Sequence, residues 1–415
     1  MRTRRITSKD IKHSLVNISQ ITFEVTDACN LKCKYCGYGD LYFGYDRRED
    51  KFLDFSSVKI LLDYFARLWK TNKTDSACPL TYISFYGGEP LMNMQLIEQV
   101  VNYIENLNIN RKFIFSMTTN AMLLDRYMDY LVQKKFGLLI SLDGDETAHS
   151  YRVTHSGKNS FKKVFSNVKL LQQTYSDYFA KHVNFNAVLH NRSSVGGIHS
   201  FIKEEFGKQP AIGELNNSGI RPDKTEEFNH TYRNKNESLL ETENYKEISE
   251  DMFISDPHTN DLLIYLHNYS GNVFGNYNDI FIDKENINII PTGTCSPFSK
   301  KMFVTVNGKI LQCEKIDHDF ALGNITPDGI TLDLERIASD FNRYLDKLQS
   351  QCSACARQTS CTQCLFYIDD IRDTTSKCHG FMNKQNFELY SSYCLSHLAK
   401  NPTLYKKLME DVLIR

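Results

Sequence analysis

Hydrophobic and polar positions follow two alternating periods along the first half of the chain. Short apolar runs typical of β-strands are followed by longer segments whose apolar residues recur at helical spacing. The predicted strands lie at 21–27, 80–90, 113–120, 137–144, 182–190 and near 211–217. The predicted helices lie at 56–70, with Ser56 as the N-cap, and at 93–107, 124–135, 160–175 and about 194–206. Six β/α units in series indicate a parallel sheet with helices packed outside it.

The same pattern divides the chain into five parts. An N-terminal arm at 1–20 precedes the β/α series at 21–217, and a polar connecting or substrate-facing region at 218–290 follows. Residues 291–382 are rich in cysteine and short strands, and a helical tail occupies 383–415. We therefore predict an α/β fold in which a partial, TIM-like (β/α)6 barrel is followed by a small cysteine-rich domain.

Composition and charge narrow the class of protein. Among the 415 residues, 49 Lys and Arg balance 50 Asp and Glu, so the net charge of −1 gives no reason to expect nucleic acid or an anionic membrane as a partner. The basic N-terminus lacks the apolar core of a secretory signal, and no run approaches the roughly 18 apolar residues of a membrane span. We expect a cytoplasmic protein.

The cysteines are clustered rather than dispersed. Of the 12 cysteines, three directly follow the first predicted strand, at Cys29, Cys33 and Cys36. Seven more lie in the second half of the chain, at Cys295, Cys313, Cys352, Cys355, Cys361, Cys364 and Cys378. Without a secretory signal, such clusters indicate metal binding rather than disulfides. The two CxxC pairs of the second group would also suit a zinc site.

The first group leaves a metal centre one protein ligand short. Structural zinc sites and ordinary iron–sulfur clusters take four protein ligands, and disulfides need an even number of cysteines. Cysteines spaced by three and then two residues, on a loop after a strand, can hold three irons of a cubane 4Fe–4S cluster. The fourth iron is then open, and an open coordination position is where chemistry enters a metal site.

The run CNLKCKYC at 29–36 resembles the cluster-binding motif of radical S-adenosylmethionine (SAM) enzymes. The resemblance implies that the open iron binds the amino and carboxylate groups of SAM, which is cleaved reductively to a 5′-deoxyadenosyl radical. Cys29, Cys33 and Cys36 would then be the ligands of the catalytic cluster. Tyr35 would shield this cluster, or alternatively serve as a core aromatic residue.

A second motif agrees with the resemblance. Gly87, Gly88 and Glu89 end the second predicted strand and resemble the family motif that holds the amino group of methionine. Glycines let a backbone approach a ligand closely, and a carboxylate suits an ammonium group. A turn with no other role is the alternative.

Further polar residues follow the later strands. Asn120 and Ser141 end the third and fourth strands, and the resemblance places them near the ribose or carboxylate of SAM. Arg152 is placed like the family's arginine that pairs with the methionine carboxylate. Asp143 is a further candidate contact, with the capping of a turn as the alternative.

The seven later cysteines resemble the SPASM extension of radical SAM enzymes, which carries two auxiliary 4Fe–4S clusters. By that resemblance the distal cluster is ligated by Cys352, Cys355, Cys361 and Cys378, and the nearer one by Cys295, Cys313 and Cys364. Two residues separate the last internal pair, where the family pattern has three. The nearer cluster has no obvious fourth ligand. Cys394 of the tail could fill this role, but we expect it to be an ordinary buried thiol.

SPASM enzymes of this size mostly modify ribosomally made peptides (RiPPs). The resemblance therefore implies an oxidoreductase that modifies, and in particular crosslinks, side chains of a precursor peptide. It also implies three 4Fe–4S clusters, SAM and an external electron donor such as flavodoxin or ferredoxin. The alternatives are an anaerobic sulfatase-maturing enzyme that forms formylglycine, and a non-catalytic iron–sulfur or zinc scaffold.

The segment after the last β/α unit holds one further catalytic candidate. Glu214, together with Asn216 and Asn217, would lie at the mouth of the predicted barrel. These polar groups could bind a peptide backbone, and the Glu214 carboxylate could assist a deprotonation. The alternative is a solvated loop.

Overall fold

The computed structural model describes residues 4–269, 292–358, 361–368 and 370–411. The chain divides into two compact units. The sheet unit comprises Ser8–Ile248 and Ser296–Ile337, and the cysteine unit comprises Met1–Thr7, Ser249–Cys295 and Ala338–Arg415.

The strands alternate with helices through the first half of the chain. The strands are β1 Gln20–Thr26, β2 Leu31–Cys33, β3 Leu80–Gly87, β4 Lys112–Thr119, β5 Gly137–Ser141, β6 Arg152–Thr154, β7 Val183–Leu189, β8 Pro210–Glu214, β9 Met302–Val304, β10 Lys309–Leu311, β11 Gly323–Thr326 and β12 Gly329–Thr331. The helices up to β8 are α1 Ser8–Val16, α2 Phe55–Thr71, α3 Met94–Glu105, α4 Leu124–Gln133, α5 Phe161–Thr174, α6 Ser176–His182 and α7 Val195–Phe206.

The remaining helices follow the β/α series. They are α8 Thr225–Thr231, α9 Lys235–Leu240, α10 Tyr245–Met252, α11 Pro257–Tyr269, α12 Leu334–Ala354, α13 Lys384–Lys400 and α14 Pro402–Asp411. Short 3-10 helices lie at Pro90–Asn93, Ala148–Tyr151, Pro222–Lys224, Phe253–Ser255, His318–Phe320 and Leu365–Tyr367. The part of the predicted connecting region at 270–290 lies outside the described residues.

The predicted parallel sheet is confirmed. Strands β1, β3, β4, β5, β7 and β8 are neighbours in that order, and each adjacent pair is parallel. Because parallel strands need a long crossover, each of these connections carries at least one helix. The carboxyl ends of the six strands therefore meet at one edge, where the motifs of the sequence analysis lie.

Four further strands extend this sheet beyond β1. Strand β9 pairs with β1 in parallel, and β10, β11 and β12 continue from β9 as antiparallel neighbours. The sequence pattern grouped these strands with the cysteine-rich segment at 291–382. They instead belong to the sheet of the sheet unit. These strands join the sheet because β9, which is buried at all three positions, pairs with β1. The predicted domain boundaries stay predictions.

The two faces of the sheet differ in polarity. Successive residues of a strand point to opposite faces, and in β1 Ile21, Phe23 and Val25 are fully buried apolar residues. The alternate face carries hydrogen-bonding groups, since Ser84 Oγ lies 2.7 Å from Ser116 Oγ and accepts from Gln20 Nε2 at 2.8 Å.

Helix α2 begins earlier than the sequence indicated. Ser56 was predicted as its N-cap, and this prediction is wrong. Asp54 is the cap, because its carboxylate accepts a hydrogen bond from the backbone N–H of Ser57 at 3.0 Å and thereby satisfies a free donor of the first turn. Aspartate and serine are comparable caps, so residue type alone could not choose between them.

One arginine joins several elements at the opposite end of the strands. Arg111 donates hydrogen bonds to Val16 O at 2.8 Å and to Thr81 Oγ1 at 2.7 Å, and its guanidinium lies 4.3 Å from the Trp69 ring centroid. It thus connects the end of α1, the start of β3 and helix α2. A charged donor shared among such groups stabilises the fold, because hydrogen bonds from a charged group are stronger than those between neutral groups.

We expect Arg111→Ala to lower the free energy of unfolding by about 2 kcal/mol, because charge-assisted hydrogen bonds and a cation–π contact are lost together. Chemical denaturation monitored by circular dichroism measures this change. Arg126→Ala is the control, since Arg126 is exposed on α4 and should cost no more than about 0.5 kcal/mol. Equal effects of the two substitutions would contradict the role given to Arg111.

Candidate active site at the carboxyl edge of the sheet

The loop that carries Cys29, Cys33 and Cys36 leaves the carboxyl end of β1. Its strand β2 pairs antiparallel with β6, so that Cys33 lies opposite Arg152. Cys36 N donates to Cys33 O at 3.2 Å, and the His155 ring nitrogen lies 2.7 Å from Cys29 O. The loop is therefore held by a segment that follows β5, about 120 residues further along the chain.

The three thiols share a poorly solvated environment. Burial, with a smaller contribution from the neighbouring cysteines, raises the pKa of the Cys29 thiol to about 11 and that of Cys33 to about 12. The Asn120 side-chain amide lies 3.8 Å from Cys29 Sγ. A group of soft thiolate ligands in a site of this kind suits an iron–sulfur cluster, which would hold all three cysteines deprotonated.

Gly87 and Gly88 bring the end of β3 against the start of the cysteine loop. A Cβ atom on Gly87, whose φ is +142°, would lie 2.2 Å from Thr26 O, and one on Gly88 would lie 2.0 Å from Ala28 O. Gly88 N and Glu89 N donate to these same two carbonyls, each at 2.9 Å. The close contact of both glycines in the structure is with the chain itself. Their expected contact with a ligand stays a prediction.

The Glu89 carboxylate connects the ends of two strands. It is fully buried, and it accepts hydrogen bonds from Thr119 Oγ1 at 2.7 Å, Asn120 N at 2.7 Å and Leu91 N at 3.1 Å. Burial raises the pKa of Glu89 to about 7, and these hydrogen bonds oppose the rise. An arriving cation would favour its ionised form. The contact of Glu89 with the amino group of SAM stays a prediction.

Asn120 and Ser141 lie where they were expected, at the strand ends. The Asn120 amide donates to Asn30 Oδ1 at 2.8 Å and its oxygen accepts from Met122 N at 3.0 Å, so Asn120 also contacts the cysteine loop. Ser141 ends β5 opposite Asn186 of β7, and it is 8% exposed. Their roles toward SAM stay predictions.

Arg152 forms a buried ion pair with Asp143. Its guanidinium donates two hydrogen bonds to the carboxylate, at 2.8 and 3.0 Å, and Asp143 also accepts from Val188 N at 2.9 Å and from the Tyr35 hydroxyl. Burial opposes the ionisation of Asp143, but the adjacent guanidinium lowers the pKa of the carboxyl below its usual value. The alternative prediction, that Asp143 only caps a turn, does not account for these contacts.

Tyr35 belongs to an aromatic cluster behind the cysteine loop. Its ring stacks on His190 at 5.4 Å and packs edge-on against Tyr151 at 6.4 Å. Cys33 packs against the same cluster, and burial raises the pKa of Tyr35 well above its usual value. Tyr35 is therefore a core aromatic residue that also lies beside a predicted cluster ligand, so the two interpretations of the sequence are compatible.

Glu214, the candidate base, is exposed at the end of β8. Its carboxylate accepts hydrogen bonds from the Tyr232 hydroxyl at 3.0 Å and from Lys235 N at 2.5 Å, the start of α9. Asn216 forms a local turn with Ser218. These contacts give Glu214 a structural role, and its catalytic role stays a prediction.

Four cysteines of the cysteine unit line one cavity. Cys352, Cys355, Cys361 and Cys378 surround a space of about 50 Å³. Cys378 N donates to the Gln351 side chain at 3.0 Å, and Met382 N donates to Cys355 Sγ at 3.4 Å. Burial raises the pKa of Cys352 to about 11, and the other cysteines add to the rise. Four convergent thiols fit the predicted distal cluster.

The other predicted ligands fall in different units. Cys295 and Cys364 belong to the cysteine unit, where burial raises the pKa of Cys364 and Cys295 adds to the rise. Cys313 follows β10 in the sheet unit, and burial raises the pKa of its thiol to about 11. Cys394 is buried on α13 among leucines of α11 and α14, which is the packing expected of an ordinary thiol.

Two properties of the described residues limit other interpretations. No group of three or more His, Cys, Asp or Glu side chains in this part of the chain is gathered to hold a single metal ion. An iron–sulfur cubane is larger than one ion and is ligated by thiolates spread around it. None of the helices described is long and apolar enough to cross a membrane.

Comparison with known proteins supports the class of this site. Residues 23–192 match the family model of the Radical SAM superfamily. Radical SAM cyclopropyl synthase TigE of Paramaledivibacter caminithermalis is 28% identical over 180 residues, which are 41% of this chain and 35% of that protein. A cysteine-type anaerobic sulfatase-maturating enzyme of Clostridium novyi is 27% identical over 194 residues, 46% of this chain and 49% of that protein. The alignments thus span about a third to a half of these relatives.

A solved structure extends the similarity of fold to both units. Native anSMEcpe with bound AdoMet has a TM-score of 0.63 and 18% sequence identity, over 94% of this chain and 99% of that chain. The same protein with bound AdoMet and a Cp18Cys peptide has a TM-score of 0.62 over 92% of this chain and 98% of that chain. Residues 23–192 therefore form the radical SAM domain that the cysteine motif predicted, and the chain shares the fold of native anSMEcpe.

We expect Gly88→Ala to destabilise the protein by about 3 kcal/mol or more and to lower its iron content, because the new Cβ would overlap Ala28 O at 2.0 Å. Iron and sulfide assays after anaerobic reconstitution, with thermal unfolding, measure both effects. Gly213→Ala on β8 is the control, since nothing lies within 4 Å of its Cβ position. Full iron content and stability in the Gly88 variant would refute the proposed contact.

Asp143→Asn should lower the free energy of unfolding by about 3–5 kcal/mol, because it leaves the Arg152 guanidinium buried without its counter-charge. The double variant Asp143→Asn with Arg152→Gln should lose less than the sum of the two single losses. Glu146→Gln, in an exposed pair with Lys162 at 3.8 Å, should change stability by about 0.5 kcal/mol at most. Additive losses in the double variant would show that the pair is not coupled.

Proposed function

We propose that this protein is a radical SAM/SPASM peptide maturase, an oxidoreductase that modifies and crosslinks side chains of a ribosomally made precursor peptide. The observation that carries the proposal is the cysteine loop at the carboxyl end of β1, held against β6 and the end of β3. Three thiols and no fourth protein ligand in this loop suit a cluster with an open iron. The four-cysteine cavity supports an auxiliary cluster in the same chain.

The residues of the loop and strand ends provide a binding site for the first cluster and SAM. Cys29, Cys33 and Cys36 would ligate the cluster, and Gly87, Gly88, Glu89, Asn120, Ser141 and Arg152 would surround SAM. Bound together, the cluster and SAM supply a carbon-centred radical that abstracts hydrogen from an unactivated C–H bond. The protein's contribution is to place one peptide hydrogen near that radical and to exclude water.

The ion pair with Asp143 changes the role that we propose for Arg152. Its guanidinium is committed to Asp143 and lies beside Cys33, so we propose that it orders the loop and contributes positive charge near the SAM carboxylate rather than binding that carboxylate alone. Glu89, which is buried without a cationic neighbour among its hydrogen-bond partners, is then the residue suited to receive the ammonium group.

Auxiliary clusters suit a reaction that must remove an electron after bond formation. A peptide crosslink removes two hydrogens, which is a two-electron oxidation, and only one of these electrons leaves with the abstracted hydrogen atom. We propose two auxiliary 4Fe–4S clusters, one on Cys352, Cys355, Cys361 and Cys378 and one on Cys295, Cys313 and Cys364. We also propose flavodoxin or ferredoxin as the electron donor, and the cytoplasm as the location.

A second candidate is the formation of formylglycine on a sulfatase. The relative of Clostridium novyi, a cysteine-type anaerobic sulfatase-maturating enzyme, favours it, with 27% identity over 194 residues. The two candidates share the radical chemistry and differ in the product. A crosslink removes two hydrogens and joins two residues, whereas formylglycine formation changes one cysteine or serine to an aldehyde.

Anaerobic co-expression with each short open reading frame beside the gene, followed by mass spectrometry, tests the proposal. We expect one peptide to lose two hydrogens at positions that fragmentation can localise. The Cys33→Ala variant is the control, in which we expect no modification and no 5′-deoxyadenosine but retained auxiliary iron. SAM cleavage by that variant would contradict the assignment of the loop. Unmodified peptides, together with formylglycine on a sulfatase peptide, would favour the second candidate.

A further inference from the structure

A single cationic side chain contributes to the four-cysteine cavity. Among the described residues that line the cavity, Arg357 is the charged residue, and the remaining lining groups are thiols, amides, a hydroxyl, a glycine and an aromatic ring. Arg357 follows Cys355 by two residues, on the turn that leads out of α12. The cluster motif does not contain this arginine, so the resemblance assigned it no role.

The guanidinium is supported from the tail of the chain. It lies 5.2 Å from the ring centroid of Tyr390 on α13, and one of its terminal nitrogens lies 3.5 Å from Thr362 Oγ1. The Tyr390 hydroxyl donates to Asp261 O at 3.2 Å, and its ring packs edge-on against Tyr265 at 5.8 Å. Helices α11 and α13 thereby hold the aromatic surface on which the arginine rests.

The Nε donor of Arg357 is left without a partner in the part of the chain that the structure describes. Its Nε is buried and makes no hydrogen bond to any of the described residues. A buried N–H without an acceptor is costly, so such groups commonly face an acceptor that belongs to a bound group. The cavity that Arg357 lines, with its four thiols, offers a place for an acceptor of that kind.

The electrostatic consequence follows from the charge of a cluster with four thiolate ligands. An all-cysteine 4Fe–4S cluster is an anion, and it gains one more negative charge when it accepts an electron. A nearby cation, or an N–H donated to a cluster sulfur, stabilises the reduced form more than the oxidised form. Arginine keeps its charge at any pH the protein experiences, so the effect is permanent.

We propose that Arg357 raises the reduction potential of the cluster held by Cys352, Cys355, Cys361 and Cys378, and that Tyr390 of the tail positions the guanidinium for this purpose. The inference rests on the proposed auxiliary cluster. It gives the tail, which lies outside the cluster motifs, a role in electron transfer. The reaction concerned is a one-electron reduction of the cluster, with the electron supplied by an external reductant.

A redox titration of the full-length reconstituted protein, monitored by electron paramagnetic resonance, tests the proposal. Cys33→Ala and Cys313→Ala in the background remove the other two proposed clusters, so that one signal is followed. With dithionite as reductant, Arg357→Gln should decrease the ratio of reduced to oxidised cluster at least tenfold at the parent's midpoint potential. A tenfold change corresponds to a shift of 59 mV for one electron.

Two matched variants separate charge from packing. Arg357→Lys retains the positive charge and should keep the ratio within about threefold of the parent. Arg343→Gln removes an exposed arginine of α12 that lies 5.9 Å from the Tyr344 ring, and it should leave the ratio unchanged. Tyr390→Leu, which keeps the arginine but removes its aromatic support, should shift the midpoint in the same direction as Arg357→Gln and by less.

The outcomes distinguish this inference from the function on which it rests. Iron and sulfide analysis first establishes that the background protein binds one cluster, and absence of that cluster would overturn the auxiliary-cluster assignment itself. With the cluster bound, an Arg357→Gln midpoint equal to that of the parent would overturn the role of Arg357. If the glutamine variant does not bind the cluster, Arg357→Met retains the aliphatic stem and replaces it in the same comparison.

Discussion

The Asp143 carboxylate is the group on which the arrangement of the active-site edge depends. It accepts two hydrogen bonds from Arg152, one from Tyr35 of the cysteine loop and one from the backbone of Val188 on β7. One buried charge thus joins three segments that lie far apart in sequence. Removing either member of such a pair leaves the other uncompensated, which is why the arrangement tolerates little change.

Around this pair, short backbone contacts bring the cysteine loop to its position. Gly87 and Gly88 place the end of β3 against the carbonyls of Thr26 and Ala28, and Glu89 ties that end to β4. Each strand of the parallel sheet therefore contributes to one edge, and the candidate site is built from strand ends rather than from any single motif. A substitution that moves one strand end displaces groups on its neighbours.

The second group of cysteines follows the same principle on a smaller scale. Four thiols converge on one cavity, but Gln351 accepts from the Cys378 backbone, Met382 N donates to Cys355 Sγ, and Arg357 brings a positive charge to the lining. These groups decide the electrostatic environment of a bound cluster, whereas the cysteine spacing decides only that a cluster can bind. The helical tail enters this environment through Tyr390, which the cysteine pattern did not indicate.

The sequence by itself determined the parallel sheet, the position of its strands within a few residues, and the class of the domain. These follow from local periodicity and from cysteine spacing, both of which act over short stretches of chain. Tertiary structure decided what local patterns do not contain: that β9–β12 extend the sheet from β1, that Asp143 pairs with Arg152, and that Asp54 caps α2. The physical reason is that distant segments pair according to which groups the fold brings within hydrogen-bonding distance. Residue type alone leaves several partners equally suitable.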